Sequence, residues 1–224
     1  MAHEDHEHQG QDGHGHAHEH DRHPEPQPDD KVHRYYQLLG IALKELLIEK
    51  GVVTADEIRA AIERRESMTP ANGAKVIARA WVDPAYKVRL LRDANAAVAE
   101  LGFDMPTTNL VAVENTEIVH NVIVCTLCSC YPRELLGLPP SWYKSRNYRA
   151  RVVREPRAVL AEFGTEIGSD VEVRVHDSTA DMRYLVIPRR PEGTDELSEE
   201  ELASLVTRDA MIGVALARRH PLPK

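Results

Sequence analysis

The run Ile118-Val119-His120-Asn121-Val122-Ile123-Val124 passes without a break into Cys125-Thr126-Leu127-Cys128-Ser129-Cys130. The first part is rich in β-branched side chains, which suit a pleated, half-buried surface, so it predicts a strand. The second part holds all three cysteines of the chain. An odd number of thiols packed this closely cannot form the disulfide framework of a small secreted domain. They are there for redox chemistry or for a metal.

Three neighbouring thiols resist ionising together, because thiol pKa values start near ~8.5 and each thiolate raises the next. A cation reverses this by coordinating the deprotonated sulfurs. The tight Cys128-Ser129-Cys130 turn also draws its peptide towards such an ion. The amide nitrogens of Ser129 and Cys130 can then join the sulfurs in small chelate rings, a strong-field donor set that suits a low-spin trivalent ion more than zinc. Three readings stay open here: a structural Cys3His zinc site with His120 as fourth ligand, a redox Cys-x-x-Cys, and an unusual catalytic metal. Zinc sites usually tie together ligand pairs from separate segments, whereas three ligands within one turn staple little. His120 reads as a packed or hydrogen-bonded histidine.

Outward from this stretch, Leu110–Val113 is a second strand, separated by the turn Glu114-Asn115-Thr116. Downstream, Gly137-Leu138-Pro139-Pro140 ends any regular element. Arg149–Arg154 looks helical, and Pro156 starts or kinks a helix ending at Phe163-Gly164. Val171–His176 and Arg183–Ile187 read as an antiparallel pair joined by a polar loop. Ser198 with Glu201 caps a final helix. Upstream, Leu39, Leu43, Leu46 and Leu47 form a helical stripe that Gly51 can stop. Thr54 with Glu57 is a capping box, and Thr69-Pro70 and Asp83-Pro84 each pair an N-cap with proline at the first helical position. The last of these helices is expected to run through Val88, Leu91 and Val98 to Leu101-Gly102. The expected fold is α+β: a helical arm over 31–104, a layered α-β-β-α domain over 105–216, and a tail over 217–224.

Residues 1–30 carry eight histidines (His3, His6, His8, His14, His16, His18, His20 and His23) among polar residues and proline. Such a segment has too little apolar surface to offset the entropy of ordering and is expected to be disordered. It is either a solubilising tail or a trap for divalent metal. A formal net charge of −8 argues against a nucleic-acid partner, which needs a basic face. No apolar run reaches membrane-spanning length, and no secretory signal is visible, so a cytoplasmic location is expected. Readings from another class are a zinc-stapled interaction module and a metal-delivery protein using the histidine-rich segment.

The cysteine motif resembles the metal-binding signature of nitrile hydratase α subunits. So do Gly137-Leu138-Pro139-Pro140, Trp142-Tyr143-Lys144, Tyr148-Arg149-Ala150-Arg151, Arg154-Glu155-Pro156-Arg157, Arg183-Tyr184, Arg190-Pro191-Glu192-Gly193-Thr194 and Val206-Thr207-Arg208-Asp209. The resemblance runs from about residue 35 to 216. Thr126, where the iron class has serine, is similar to the cobalt class. The resemblance implies one low-spin Co(III) per chain, held by the sulfurs of Cys125, Cys128 and Cys130 and the backbone nitrogens of Ser129 and Cys130. It further implies Cys128 as sulfinic acid, Cys130 as sulfenic acid, and Cys130 and Ser129 as catalytic residues beside the open position. Hydration of a nitrile to an amide would follow, with the metal as Lewis acid. The implied partner is a β-type subunit, as one chain or two, and an activator or metallochaperone is implied for loading. Asp177 and Arg183 match an acidic and arginine set that supports the ligands in the family, while Asp181 stands where glutamate is usual; the plain alternative for all three is a solvated hairpin loop.

Two positions depart from the pattern. Tyr131-Pro132 is followed by Arg133 where most nitrile hydratases have tryptophan in the substrate pocket. Arginine there resembles the γ subunit of thiocyanate hydrolase, a sister enzyme whose anionic substrate suits a guanidinium. His176 also replaces a tryptophan common in cobalt members. Both changes make the expected pocket more polar, which also suits a large polar nitrile.

Overall fold

The computed structural model describes residues 30–218; the histidine-rich segment and the end of the C-terminal tail lie outside the described residues. Helices α1 (Asp30–Glu49), α2 (Ala55–Glu66), α3 (Pro70–Val82), α4 (Pro84–Arg92) and α5 (Ala94–Ala99) precede β1 (Asn109–Glu114) and β2 (Val119–Val124). Short helices α6 (Arg133–Leu136), α7 (Ser141–Lys144), α8 (Arg146–Arg151) and α9 (Pro156–Glu162) lead to β3 (Glu172–Asp177) and β4 (Met182–Ile187). The chain closes with α10 (Glu199–Ser204) and α11 (Arg208–Ile212). The fold is α+β, as the sequence predicts.

Local signals set most helix ends. Thr54 and Glu57 form the full reciprocal capping box of α2, and Ser198 and Glu201 do the same for α10. Pro70 and Pro84 open α3 and α4; Asp83 caps α4 through Tyr86 N, whereas Thr69 makes no side-chain cap bond. The helix expected to run from Val88 to Leu101 is broken at Asp93, whose carboxylate accepts from Ala96 N at 3.1 Å and starts α5. Val88 and Leu91 consequently face outward, while Tyr86 and Leu90 are buried.

The strand pairing differs from the expected hairpin. β1 pairs with β4 and β2 with β3, both parallel, in two separate two-stranded sheets. The loop after β3 carries the chain from one sheet to the other. Ser178 N still bonds Val124 O at the end of the first ladder, and Asn109 N bonds Asp181 O at the start of the second. Parallel pairing needs long crossovers, and here the helices between β2 and β3 supply one. A short polar loop between two β-branched runs points to a hairpin because adjacency is the only cue in the sequence; β3 and β4 instead take the edges offered by β2 and β1.

One hydrophobic cluster joins Val76, Ile77, Leu90 and Val98 from α3–α5 to Val122, Ile123, Leu185 and Val186 of the strands and to Leu160 and Ile212. Gly213 closes α11 at φ +91°, and a Cβ there would lie 2.0 Å from Asn121 O. Only glycine lets that turn approach β2 so closely. α2 buries no residue, and Leu39, Leu43 and Leu46 of α1 are about half exposed. Among the described residues no helix is long and apolar enough to cross a membrane.

Candidate metal centre

β2 ends at Val124 and delivers a buried Cys125; Cys128 is exposed and Cys130 half-buried. The loop doubles back, so the sulfurs of Cys125 and Cys128 lie 3.4 Å apart and those of Cys128 and Cys130 3.2 Å apart. All three lie within 4.8 Å of one another. At a metal–sulfur distance of about 2.3 Å, two sulfurs sit about 3.3 Å apart across a right angle and about 3.8 Å apart across a tetrahedral angle. The two spacings at Cys128 match the right angle, which fits a six-coordinate ion better than tetrahedral zinc.

His120 takes no part in this cluster. Its Nε2 donates to Gly213 O at 2.7 Å and its Nδ1 accepts from the Asn115 amide at 3.2 Å. Asn115 is oriented by its Oδ1, which accepts from Asn121 N at 2.7 Å. Burial pushes the His120 pKa below its ordinary value, which keeps the ring neutral in this network.

The loop is held from behind. Asp177 stands opposite Val124 in the β2–β3 register. Its carboxylate accepts from Thr126 N at 2.9 Å and from Thr126 Oγ1 at 2.6 Å. Arg149 donates to Thr126 O at 3.2 Å, so every polar atom of Thr126 is engaged. Tyr143 OH donates to Cys130 O at 2.9 Å, and Tyr148 OH to Ile123 O at 2.8 Å. Burial holds both phenols well above their ordinary pKa, so they act as neutral donors. Trp142 packs edge-on against Tyr148 and Phe163, with centroids 4.9 and 4.7 Å apart, and completes an apolar wall. Sequence alone does not assign the roles of Tyr143, Tyr148 and Arg149; their place in the motifs downstream of the cysteines is the available signal.

On the open side a cleft of about 320 Å³ borders Cys128, Ser129 and Cys130 and is lined by Thr107, Arg133 and Arg183. Hydrogen bonds from Cys130 and Cys125 pull the Cys128 thiol down to about 7. Burial pushes the Cys130 thiol up, and its sulfur neighbours add to this, although Arg183 opposes the shift. Arg183 also donates to the carbonyls of Thr179, Ala180 and Met182, which fixes the loop after β3. Of the three supporting residues expected from sequence, Asp177 touches the cysteine loop and Arg183 lines the cleft. Asp181 is exposed; its backbone carbonyl accepts from Asn109 N at 2.8 Å, and its carboxylate makes no hydrogen bond among the described residues.

The sequence profile of the family described as nitrile hydratase, alpha chain, matches residues 34–215. The low-molecular weight cobalt-containing nitrile hydratase subunit alpha of Rhodococcus rhodochrous is 52% identical over 178 residues, covering 78% of this chain and 86% of that protein. The thiocyanate hydrolase subunit gamma of Thiobacillus thioparus is 43% identical over 195 residues, covering 82% and 80%. A double mutant of the Fe-type nitrile hydratase from Comamonas testosteroni Ni1 superposes with a TM-score of 0.79 at 41% identity, covering 88% of this chain and 98% of that one. With its cysteine triad on one loop and this likeness along nearly all of its described length, the chain belongs to the nitrile hydratase α-chain family, a family of metal-dependent enzyme subunits.

Proposed function

We propose that the chain is the catalytic subunit of a cobalt-dependent nitrile hydratase, adding water across a carbon–nitrogen triple bond to give an amide. The observation that carries this reading is the Cys128 sulfur lying 3.4 and 3.2 Å from those of Cys125 and Cys130 on one loop. On this reading Cys125, Cys128 and Cys130, with the backbone nitrogens of Ser129 and Cys130, hold one low-spin Co(III). Bound there, the ion would supply Lewis acidity towards a nitrile nitrogen or a water. The chain's own residues do the rest. Asp177, Arg149 and Tyr143 hold the loop in shape before the ion arrives, so little ordering remains at binding. The aromatic wall keeps water from the buried side, and the cleft admits substrate on the other. Cys130 and Ser129 border that cleft and are the catalytic residues, with Cys130 as sulfenic and Cys128 as sulfinic acid. The Arg183 charge favours an anionic oxygen on Cys130. The exposed apolar stripe of α1 supports a β-type partner subunit, and an activator protein is proposed for loading.

The test is metal analysis with mass spectrometry of the purified complex, followed by a nitrile hydration assay. One cobalt per chain, two oxygens on Cys128, one on Cys130 and amide formation are expected. One zinc with unmodified thiolates would overturn the reading in favour of a scaffold. A second reading, thiocyanate hydrolase, is favoured by Arg133 in the cleft and by the similarity to the γ subunit. Carbonyl sulfide and ammonia from thiocyanate, with no amide from nitriles, would establish it instead.

A further inference from the structure

A second concavity adjoins the cysteine cleft. The end of α2 is tied against α6: the Asn72 side-chain amide donates to Ser67 O at 3.0 Å and to Glu134 O at 3.2 Å. Gly137 backs onto the same segment, where a Cβ would lie 2.8 Å from Met68 O. Between the two helices lies a cleft of about 280 Å³ lined by Arg64, Arg65, Met68, Arg133 and Leu138. Arg133 and Glu134 line both this cleft and the cysteine cleft, so the two adjoin at the start of α6 and together make one grooved face.

The charge in this groove runs against that of the protein. The chain carries a formal net charge of −8, and many of its arginines are paired, as in Arg79–Glu199 at 3.0 Å and Arg151–Glu162 at 2.6 Å. Among the described residues, the guanidiniums of Arg64, Arg65 and Arg133 have no hydrogen-bond or ion-pair partner. With Arg183 they put four guanidiniums around the groove against the single carboxylate of Glu134. Like charges gathered in a concavity repel one another and focus the field, and an anion relieves both. Guanidinium is matched to carboxylate by its paired donors. Ala61, Met68 and Leu138 supply apolar surface beside these charges, so the groove is suited to an organic body with an anionic end.

We infer that the groove binds a nitrile bearing a remote carboxylate, with the anion at Arg64 and Arg65 and the cyano group reaching the cysteine loop past Arg133. The substrate class rests on the nitrile-hydrating activity proposed above; the anion site does not. The test uses the cobalt-loaded complex with its partner subunit, 4-cyanobenzoate and its methyl ester as substrates, and the Arg64→Gln/Arg65→Gln double variant. Selectivity for the anion over the ester, as the ratio of kcat/KM values, should fall about tenfold in the variant, carried by KM. Raising ionic strength about tenfold should lower the same ratio in the parent. Arg64→Lys/Arg65→Lys, which keeps the charge, should retain most of the selectivity. Calorimetric titration with benzoate reads the anion site without turnover: affinity about tenfold weaker in the glutamine variant supports the groove, and equal affinity overturns it. Arginine-dependent benzoate binding in a complex that hydrates neither nitrile would support the groove while sinking the nitrile reading.

Discussion

Replacing Asp177 by alanine removes two of the three bonds that hold Thr126 at the start of the cysteine loop, at Thr126 N (2.9 Å) and Thr126 Oγ1 (2.6 Å). A hydrogen bond to a charged group contributes about 1.5–3 kcal/mol. Both bonds lie at the exposed rim of the loop, which favours the lower figure, so the pair is worth about 3 kcal/mol. The cost falls on order rather than on ligands, since no sulfur is removed. Metal binding must then arrange a loose loop, and affinity should fall about 100-fold at about 1.4 kcal/mol per tenfold. That figure sits at the top of the 10–100-fold range known for groups that orient ligands. The assay is titration of the reduced, metal-free chain with Co(II) in competition with a coloured chelator. Asp177→Asn keeps one acceptor oxygen and should lose about tenfold, half the effect on a free-energy scale. An unchanged affinity in Asp177→Ala would refute the argument that this carboxylate holds the loop in shape.

Cys128 is the sulfur close to both others, so Cys128→Ser should drop bound metal from one per chain to near none, as read by elemental analysis. Gly213→Ala would force a methyl to within 2.0 Å of Asn121 O at φ +91°; destabilisation by more than about 3 kcal/mol is expected, seen as a lowered urea midpoint. His120 has a folded pKa below its unfolded value because of burial. Stability should therefore be flat above about pH 6.5 and decline as pH falls through the unfolded pKa towards the folded one, where the unfolded chain binds the proton first. Urea unfolding of the parent and of His120→Gln across that window checks this; an identical acid slope in both would show that His120 is not its source.

The cysteine triad and the helix caps were legible because their information is local. A Cys-x-x-Cys-x-Cys run keeps its sulfurs within a few residues of one another, although Asp177, Arg149 and Tyr143 set the final shape of the loop, and Thr54 with Glu57 caps α2 from three residues away. The strand pairing was not legible, since β-branched runs say that a strand exists and nothing about its partner. The break at Asp93 was not legible either, because the apolar spacing of Val88, Leu91 and Val98 runs through it. Asp177 could be named by resemblance, yet its contact depends on the parallel register with β2 that the hairpin reading missed. Asp181, chosen on the same grounds, stands on the far side of the chain's passage between sheets and does not reach the loop.

That parallel register also governs when the site can exist during synthesis. Asp177 lies 51 residues downstream of Thr126, so at roughly 5–20 residues per second the ribosome makes it about 3–10 s after the cysteine loop. Until β3 has docked, only the Arg149 contact at its carbonyl can hold Thr126, and its amide and hydroxyl stay without the Asp177 carboxylate. The cysteine loop can thereby take its final shape only after β3 has been made.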